Sequence, residues 1–289
     1  MSSPLEEDPS EGVRNWEVLA RGHTSEVLAM DSQRVLKLIA AERGLEAAER
    51  ESRLTCLARS AGLQAPEVYG LLRIDGRCGI ILQRLYGQTL YDMVRSRPFS
   101  LLARIHDLAD LHAAVHDKSG RGLPSQRELL ENSVQAAHLR EDLKKAALAV
   151  LHRLPDGDVF CHGDLNLSNV IQSRERLVCV DWARASRGNP LADVARTAVM
   201  LRTLQWGKPP RTRPWRWLFL VGRALAWRTY LRRYRRLRRF CPDEFSRWEL
   251  VAASALLREP RTVEFMGREV QAIVEERFRQ LRVARIRRP

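Results

Sequence analysis

VFCHGDLNLSNVIQ (residues 159–172) holds His162, Asp164 and Asn169 in the spacing H-x-D-x-x-x-x-N. With 7 His, 14 Asp and 5 Asn among 289 residues, composition alone yields roughly 0.006 such matches. Twelve residues past Asn169, Asp181 ends an apolar run, VCVDWA, and GNPLADVART (188–197) follows. These residue types suit phosphoryl transfer, which needs a group to orient an acceptor hydroxyl and oxygen ligands for Mg2+. One loop presents Asp164 toward the acceptor and, five residues on, turns Asn169 toward the metal. Asp181 approaches the same metal from a neighbouring strand end. The competing reading is a capped loop with surface carboxylates, and the joint spacing makes it the weaker one.

Toward the N-terminus, WEVLA (16–20), EVLAM (26–30) and RVLKLI (34–39) alternate as strands do. Lysine is scarce, at 5 residues, yet Lys37 stands among Val35, Leu36, Leu38 and Ile39. A charge buried there needs a partner. AAERGLEAAERESRLTCLARSAG (40–62) reads as a helix closed by a glycine. Glu51 is the carboxylate chosen on it to pair with Lys37, with Glu46 and Glu49 as nearby competitors. APEVYGLLRI (65–74) and CGIILQRL (78–85) read as two more strands, joined by a hairpin turn at Asp75-Gly76.

Past Gly87 the pattern turns helical, over 88–96 and 99–117. Ser125 and Glu128 form a capping box that opens a helical region running to about residue 153. RLVCVDWA (176–183) is a buried strand. The rest is helical from Leu191 onward, broken near 207–214, at Pro242 and at Pro260. The fold class is therefore α+β. A disordered tail covers 1–15, a small β-rich lobe 16–87, and a larger, mostly helical lobe 88–289. His112 and His116 lie four apart on one helix face, and without a third ligand in view they read as packing residues. Cys161 reads as buried filler.

The net charge is +14, from 49 Lys+Arg against 35 Asp+Glu. Residues 1–199 carry 26 basic and 27 acidic side chains, and residues 200–289 carry 23 and 8, so the excess lies in the last third. A basic segment favours anionic partners, while a bias of 44 Arg to 5 Lys also fits a GC-rich genome. Trp215, Trp217 and Trp227 alternate with arginines over 211–240, as in a nucleic-acid or membrane surface. An amphipathic helix with snorkelling arginines is the preferred reading. Five cysteines without a CxxC pair argue against a disulfide framework or zinc site and fit a reducing compartment. The N-terminus lacks an apolar signal region, and arginines interrupt the most apolar stretch, 214–231, so no transmembrane segment is expected.

VFCHGDLNLSN, VCVDWARASRGNPLADVART, RVLKL, ILQRLYGQTL and LADLHAAVHD together resemble the aminoglycoside phosphotransferase family, a branch of the protein-kinase-like fold related to choline, fructosamine and homoserine kinases. The similarity covers about residues 16–200. The resemblance implies a bilobal protein-kinase-like fold with ATP in the cleft. It implies that Asp164 is the catalytic base, that Asn169 and Asp181 bind Mg2+, and that Lys37 contacts the ATP phosphates and pairs with Glu51. Gln83-Arg84-Leu85 would be the hinge, with Gln83 and Leu85 holding adenine through backbone groups. His162 would be structural, and Asp193 would brace the catalytic loop. The family pattern is departed from at ARGHTSEV (20–27), which has one glycine and no G-x-G-x-x-G, and at Gln83, where Glu is common. The implied activity is a cytoplasmic, Mg-ATP-dependent kinase of a small-molecule hydroxyl. The basic last third points away from a polycationic acceptor. It motivates two alternatives: a kinase of an anionic, lipid-linked or macromolecular acceptor, and a non-catalytic nucleotide- or nucleic-acid-binding module.

Overall fold

The structure, a computed structural model, describes residues 6–7, 16–22, 24–203 and 213–286. In chain order the first elements are β1 (Glu6–Glu7), β2 (Val18–Arg21), β3 (Ser25–Ala29), β4 (Arg34–Ile39), α1 (Gly44–Ser60), β5 (Val68–Ile74), β6 (Arg77–Gln83) and β7 (Gly87–Thr89). Next come α2 (Leu90–Ser96), α3 (Leu101–Val115), α4 (Gln126–Gln135), α5 (Glu141–Leu151), β8 (Val159–Cys161), β9 (Val170–Ser173), β10 (Arg176–Cys179) and β11 (Ser186–Gly188). The chain closes with α6 (Pro190–Thr203), α7 (Arg213–Leu237), α8 (Pro242–Leu256) and α9 (Pro260–Ile286). No helix among the described residues is long and apolar enough to cross a membrane.

Two compact units result: Met1–Asp92 with Ser168–Ala185, and Met93–Leu167 with Ser186–Pro289. The chain-order reading puts the boundary near residue 87 and leaves 168–185 with the helical part. Strand pairing explains the different grouping: β9 is hydrogen-bonded on one side to β7 and on the other to β10, making a three-stranded antiparallel sheet. Most of the tail expected over 1–15 lies outside the described residues; Glu6–Glu7 pairs parallel with β5.

The first unit is built on a six-stranded sheet of order β1-β5-β6-β4-β3-β2. Alternation along β4 sends Leu36 and Leu38 into one core, with Leu28, Leu72 and Ile81. It sends Ile39 to the other face, where it packs with Ala48 of α1 and with Ile80. Lys37 shares that second face by period. Helix α1 ends in a Schellman arrangement, with Gly62 at φ +79, its N–H on the Arg59 carbonyl, and Leu63 N–H on the Ala58 carbonyl. Asp75 and Gly76, at φ +48 and +75, form the two-residue turn that the right-handed twist of a hairpin favours.

The second unit is helical apart from the pair β8–β11. Helix α8 packs against α4, α5, α6 and α9. Ten of the twelve positions from Phe245 to Leu256 are buried, including Glu249, whose charge is met by Arg202 (2.9 Å) and Arg277 (2.5 Å). Ser125 caps α4, its hydroxyl accepting from Glu128 N–H at 3.4 Å. The helical region expected to continue to about 153 is interrupted over 136–140. There the chain leaves the helix and His138 N–H bonds the Leu257 carbonyl instead. Pro242 and Pro260 stand at the first positions of α8 and α9, where a missing N–H costs nothing. The break expected near 207–214 falls mainly outside the described residues.

Candidate active site

In the first unit, Lys37 Nζ donates to Glu51 Oε1 at 2.6 Å and lies 3.1 Å from Asp181 Oδ1. Glu51 is selected by helical period: the buried face of α1 is Ala48, Glu51, Leu54, Thr55 and Ala58, whereas Glu46 and Glu49 are exposed. Burial works against the Lys37 charge, but Asp181 and Glu51 outweigh it and hold its pKa above the ordinary lysine value. Burial raises the Glu51 carboxyl, with Lys37 opposing the rise.

The β9–β10 hairpin brings Asn169 and Asp181 together, because they flank its two open ends. Cys179 pairs with Val170, and just beyond, Val180 N–H donates to the Asn169 carbonyl at 3.0 Å. Asp181 has φ +63, a left-handed conformation that a non-glycine residue adopts at a cost of about 1–3 kcal/mol. The turn is anchored by Trp182, fully buried, whose indole N–H bonds the Cys179 carbonyl at 3.0 Å. At the end of β6, Gln83 N–H is taken by the Glu67 carbonyl and Arg84 N–H by the Gln33 carbonyl. Among the described residues no hydrogen bond engages the backbone of Leu85.

In the second unit, one face of α6 holds the loop that carries Asp164. Asp193 Oδ2 accepts from His162 N–H at 2.6 Å and its Oδ1 from Gly163 N–H at 3.0 Å. Three residues on, Arg196 reaches the Asp164 carboxylate with Nη2 at 3.0 Å and Nε at 3.3 Å. One residue further, Thr197 Oγ1 donates to the Leu165 carbonyl at 2.7 Å. Positions i, i+3 and i+4 share a helix face, so four successive loop residues are tied to one stripe. Gly163, at φ +78, turns the loop. His162 is fully buried and its Nδ1 accepts from Asp164 N–H at 3.2 Å.

Behind Asp193 stand His112 and His116. His112 Nδ1 meets Tyr230 Oη at 2.6 Å, and His116 Nδ1 meets Tyr234 Oη at 2.7 Å. Their Nε2 atoms lie 3.2 and 3.4 Å from Asp193 Oδ2. The structure thus supplies the third group that the sequence did not reveal beside the histidine pair. It is a hydrogen-bond cluster: both Nδ1 atoms are occupied by tyrosine hydroxyls, and the carboxylate already accepts two backbone N–H groups. Burial disfavours ionised Asp193, but the charge and hydrogen bonds of His112 and His116 prevail, holding its carboxyl well below the usual range. Burial, with His112 beside it, depresses His116 to about 4. A carboxylate accepts only, so His116 Nε2 carries the proton toward Asp193 and Tyr234 donates to Nδ1.

All the residues singled out in sequence are thus placed. Lys37, Glu51, Asn169 and Asp181 lie in the first unit with Gln83 and Leu85, and His162, Asp164 and Asp193 lie in the second. Sequence reasoning missed Arg196, Thr197, Glu259, Tyr230 and Tyr234. For the first two a signal was available, since they follow Asp193 at helical spacing. Glu259 and the tyrosines are too distant in sequence for any local pattern to connect them.

A sheet unit with a lysine–glutamate pair between strand and helix, followed by a helical unit, is the architecture of a kinase-like fold. Residues 15–224 match the phosphotransferase enzyme family, and the chain belongs to it. No curated protein sequence matches the chain. Among solved structures, an aminoglycoside phosphotransferase, APH(4)-Ia, in ternary complex with AMP-PNP and hygromycin B, superposes with TM-score 0.62. It is 17% identical, over 91% of this chain and 92% of that one. Aminoglycoside-3'-phosphotransferase of type VIII gives 0.58 at 18% identity, over 83% and 93%. A choline/ethanolamine kinase family protein from Mesorhizobium loti gives 0.52 at 16%, over 93% and 87%. At these identities the likeness establishes the fold.

Proposed function

We propose that the protein is a Mg-ATP-dependent kinase that transfers the γ-phosphoryl group to a hydroxyl of a small molecule. The observation that carries this reading is the Lys37 ammonium held between Glu51 and Asp181. A cation fixed in that way is aimed rather than mobile, and phosphate oxygens are its natural ligand. Asn169 and Asp181 supply an amide and a carboxylate oxygen from adjacent ends of one hairpin. Hard oxygen donors of this kind fit Mg2+. Bound there, Mg2+ supplies neutralisation of charge on the nucleotide phosphates.

The chain's own residues do the rest. Lys37 binds the α- and β-phosphates and Glu51 keeps it extended. Leu85 offers its backbone N–H and carbonyl to adenine, since the N–H groups of Gln83 and Arg84 are already committed. Asp164 accepts a hydrogen bond from the acceptor hydroxyl, lines it up for in-line attack and takes its proton as the new P–O bond forms and the bond from the γ-phosphorus to the bridging oxygen breaks, ADP carrying that oxygen away. His162 and Asp193 keep the loop in shape. Catalysis is mainly positioning.

A second reading, a kinase of an anionic acceptor, is favoured by α7. There and just past its end, Arg223, Arg233 and Arg238 are paired with Glu269, Asp110 and Asp117. Among the described residues, Arg232, Arg235, Arg236 and Arg239 have no carboxylate partner and line one surface groove. Activity that falls steeply with salt would favour this acceptor class over a neutral one.

The test is thermal shift with ATP and GTP, with and without Mg2+, on the parent protein and Asp181→Ala. A ligand of the folded state raises its stability by RT ln(1 + [L]/Kd), so binding at 100 times Kd is worth about 2.7 kcal/mol. The expected result is a Mg-dependent shift that Asp181→Ala removes. No shift with either nucleotide would end the kinase reading.

A further inference from the structure

Arg196 is in direct contact with the Asp164 carboxylate. Its Nε and Nη2 both reach Asp164 Oδ1, and Nη2 also bonds Glu259 Oε1 at 2.9 Å. The guanidinium is nearly buried, its side chain 12% exposed, against 23% for Asp164 and 26% for Glu259. Both of its anchors are rigid. Arg196 stands on α6, one turn after Asp193. Glu259 is fixed at the mouth of α9, its N–H on the Leu256 carbonyl and its carbonyl accepting from Val263 N–H, just ahead of Pro260.

We propose that Arg196 is a positioning residue: spanning Asp164 and Glu259, it fixes the rotamer of the Asp164 carboxylate for the acceptor hydroxyl. This rests on the kinase reading above. A planar fork sets direction as well as charge, which a lysine ammonium does not. Glu259 completes the device. It restrains the guanidinium from a second side, and it leaves the three groups with a net charge of −1, so that Asp164 is not fully neutralised by its clamp. A carboxylate with two rotatable bonds between backbone and acceptor needs such a clamp, because a misplacement of 1 Å at a reacting group costs about 10²-fold in rate.

The experiment pairs kinetics with a readout that needs no turnover. Arg196→Met is expected to lower kcat about 10²-fold while the acceptor KM stays within about threefold. Added methylguanidinium restores part of the loss, and Arg196→Lys, which keeps the charge and loses the fork, recovers less than the parent. Because Arg196→Met also takes the guanidinium away from Glu259, the double variant Arg196→Met/Glu259→Gln is carried alongside; it removes both charges, and its kcat is expected to be as low. In parallel, protein labelled at the aspartate carboxyl carbon is observed by NMR, the Asp164 signal being assigned by its loss in Asp164→Asn. That signal is expected to move in Arg196→Met and to return with methylguanidinium. A parent-like kcat in Arg196→Met, where Asp164→Asn is inactive, overturns the proposal. So does an Asp164 signal that is the same in parent and variant. If the protein shows no Mg-nucleotide binding at all, the kinase reading fails by itself. The NMR arm then still decides whether Arg196 orders Asp164.

Discussion

At the scale of single residues, the two units carry two different uses of a carboxylate. Asp181 is half-exposed, in a left-handed backbone conformation, and bonded to a lysine. Asp164 is held from behind by an arginine. Asp164→Asn is accordingly expected to cut kcat by about 10²–10⁴ while Mg-dependent ATP binding survives, measured by steady-state kinetics and thermal shift on the same sample. Near-parent turnover would remove Asp164 from the reaction. Most of these residues were legible in the sequence for physical reasons. Lys37 betrayed itself as a charge inside a period-2 apolar run. Asp164 and Asn169 stood at a spacing that composition does not produce. Glu51 was chosen with Glu46 and Glu49 still competing, and the buried face of α1 is what selects it. Arg196 stood at helical spacing from Asp193, but in a chain with 44 arginines that spacing alone did not single it out. Its meaning comes from Glu259, 63 residues away.

At the scale of elements, α6 is the piece on which the loop carrying Asp164 is mounted, and α3 and α7 support it through the histidine–tyrosine cluster. That cluster gives stability a pH dependence. The unfolded chain takes up the His116 proton near the ordinary 6.5, the folded chain only near 4. Stability from this group is therefore intact above about 6.5 and falls as the pH drops between those values, by up to roughly 3 kcal/mol. Asp193, whose folded pKa is depressed, adds a loss in the same direction below about 4. Urea unfolding at pH 7 and pH 5 checks this: the parent protein should weaken at pH 5, and His116→Gln should flatten the difference. The element boundaries were mostly visible beforehand. Gly62, the Asp75-Gly76 turn, the Ser125 cap and the prolines at 242 and 260 each have a local mechanism. The interruption over 136–140 was not visible, since what favours it is a hydrogen bond to Leu257, more than a hundred residues away.

At the scale of the whole molecule, the first unit is discontinuous in sequence. It takes Met1–Asp92 and then recruits Ser168–Ala185. A fragment ending at Asp92 keeps the six-stranded sheet and α1, but it lacks β9, which pairs with β7, and β10, which pairs with β9, as well as the Cys179 N–H that bonds the Gln64 carbonyl and the second carboxylate of Lys37. Such a fragment is expected to melt without a cooperative transition by circular dichroism. A sharp melt near that of the full chain would show that the hairpin is dispensable to the unit.

The same discontinuity governs how this protein can exchange parts with its relatives. A single crossover anywhere between residues 92 and 168 would join a β4 lysine from one parent to the aspartate just past β10 from the other, separating two groups that sit 3.1 Å apart. Working chimeras therefore need three seams, after Asp92, before Ser168 and after Ala185, so that the short hairpin travels with the distant strands it serves.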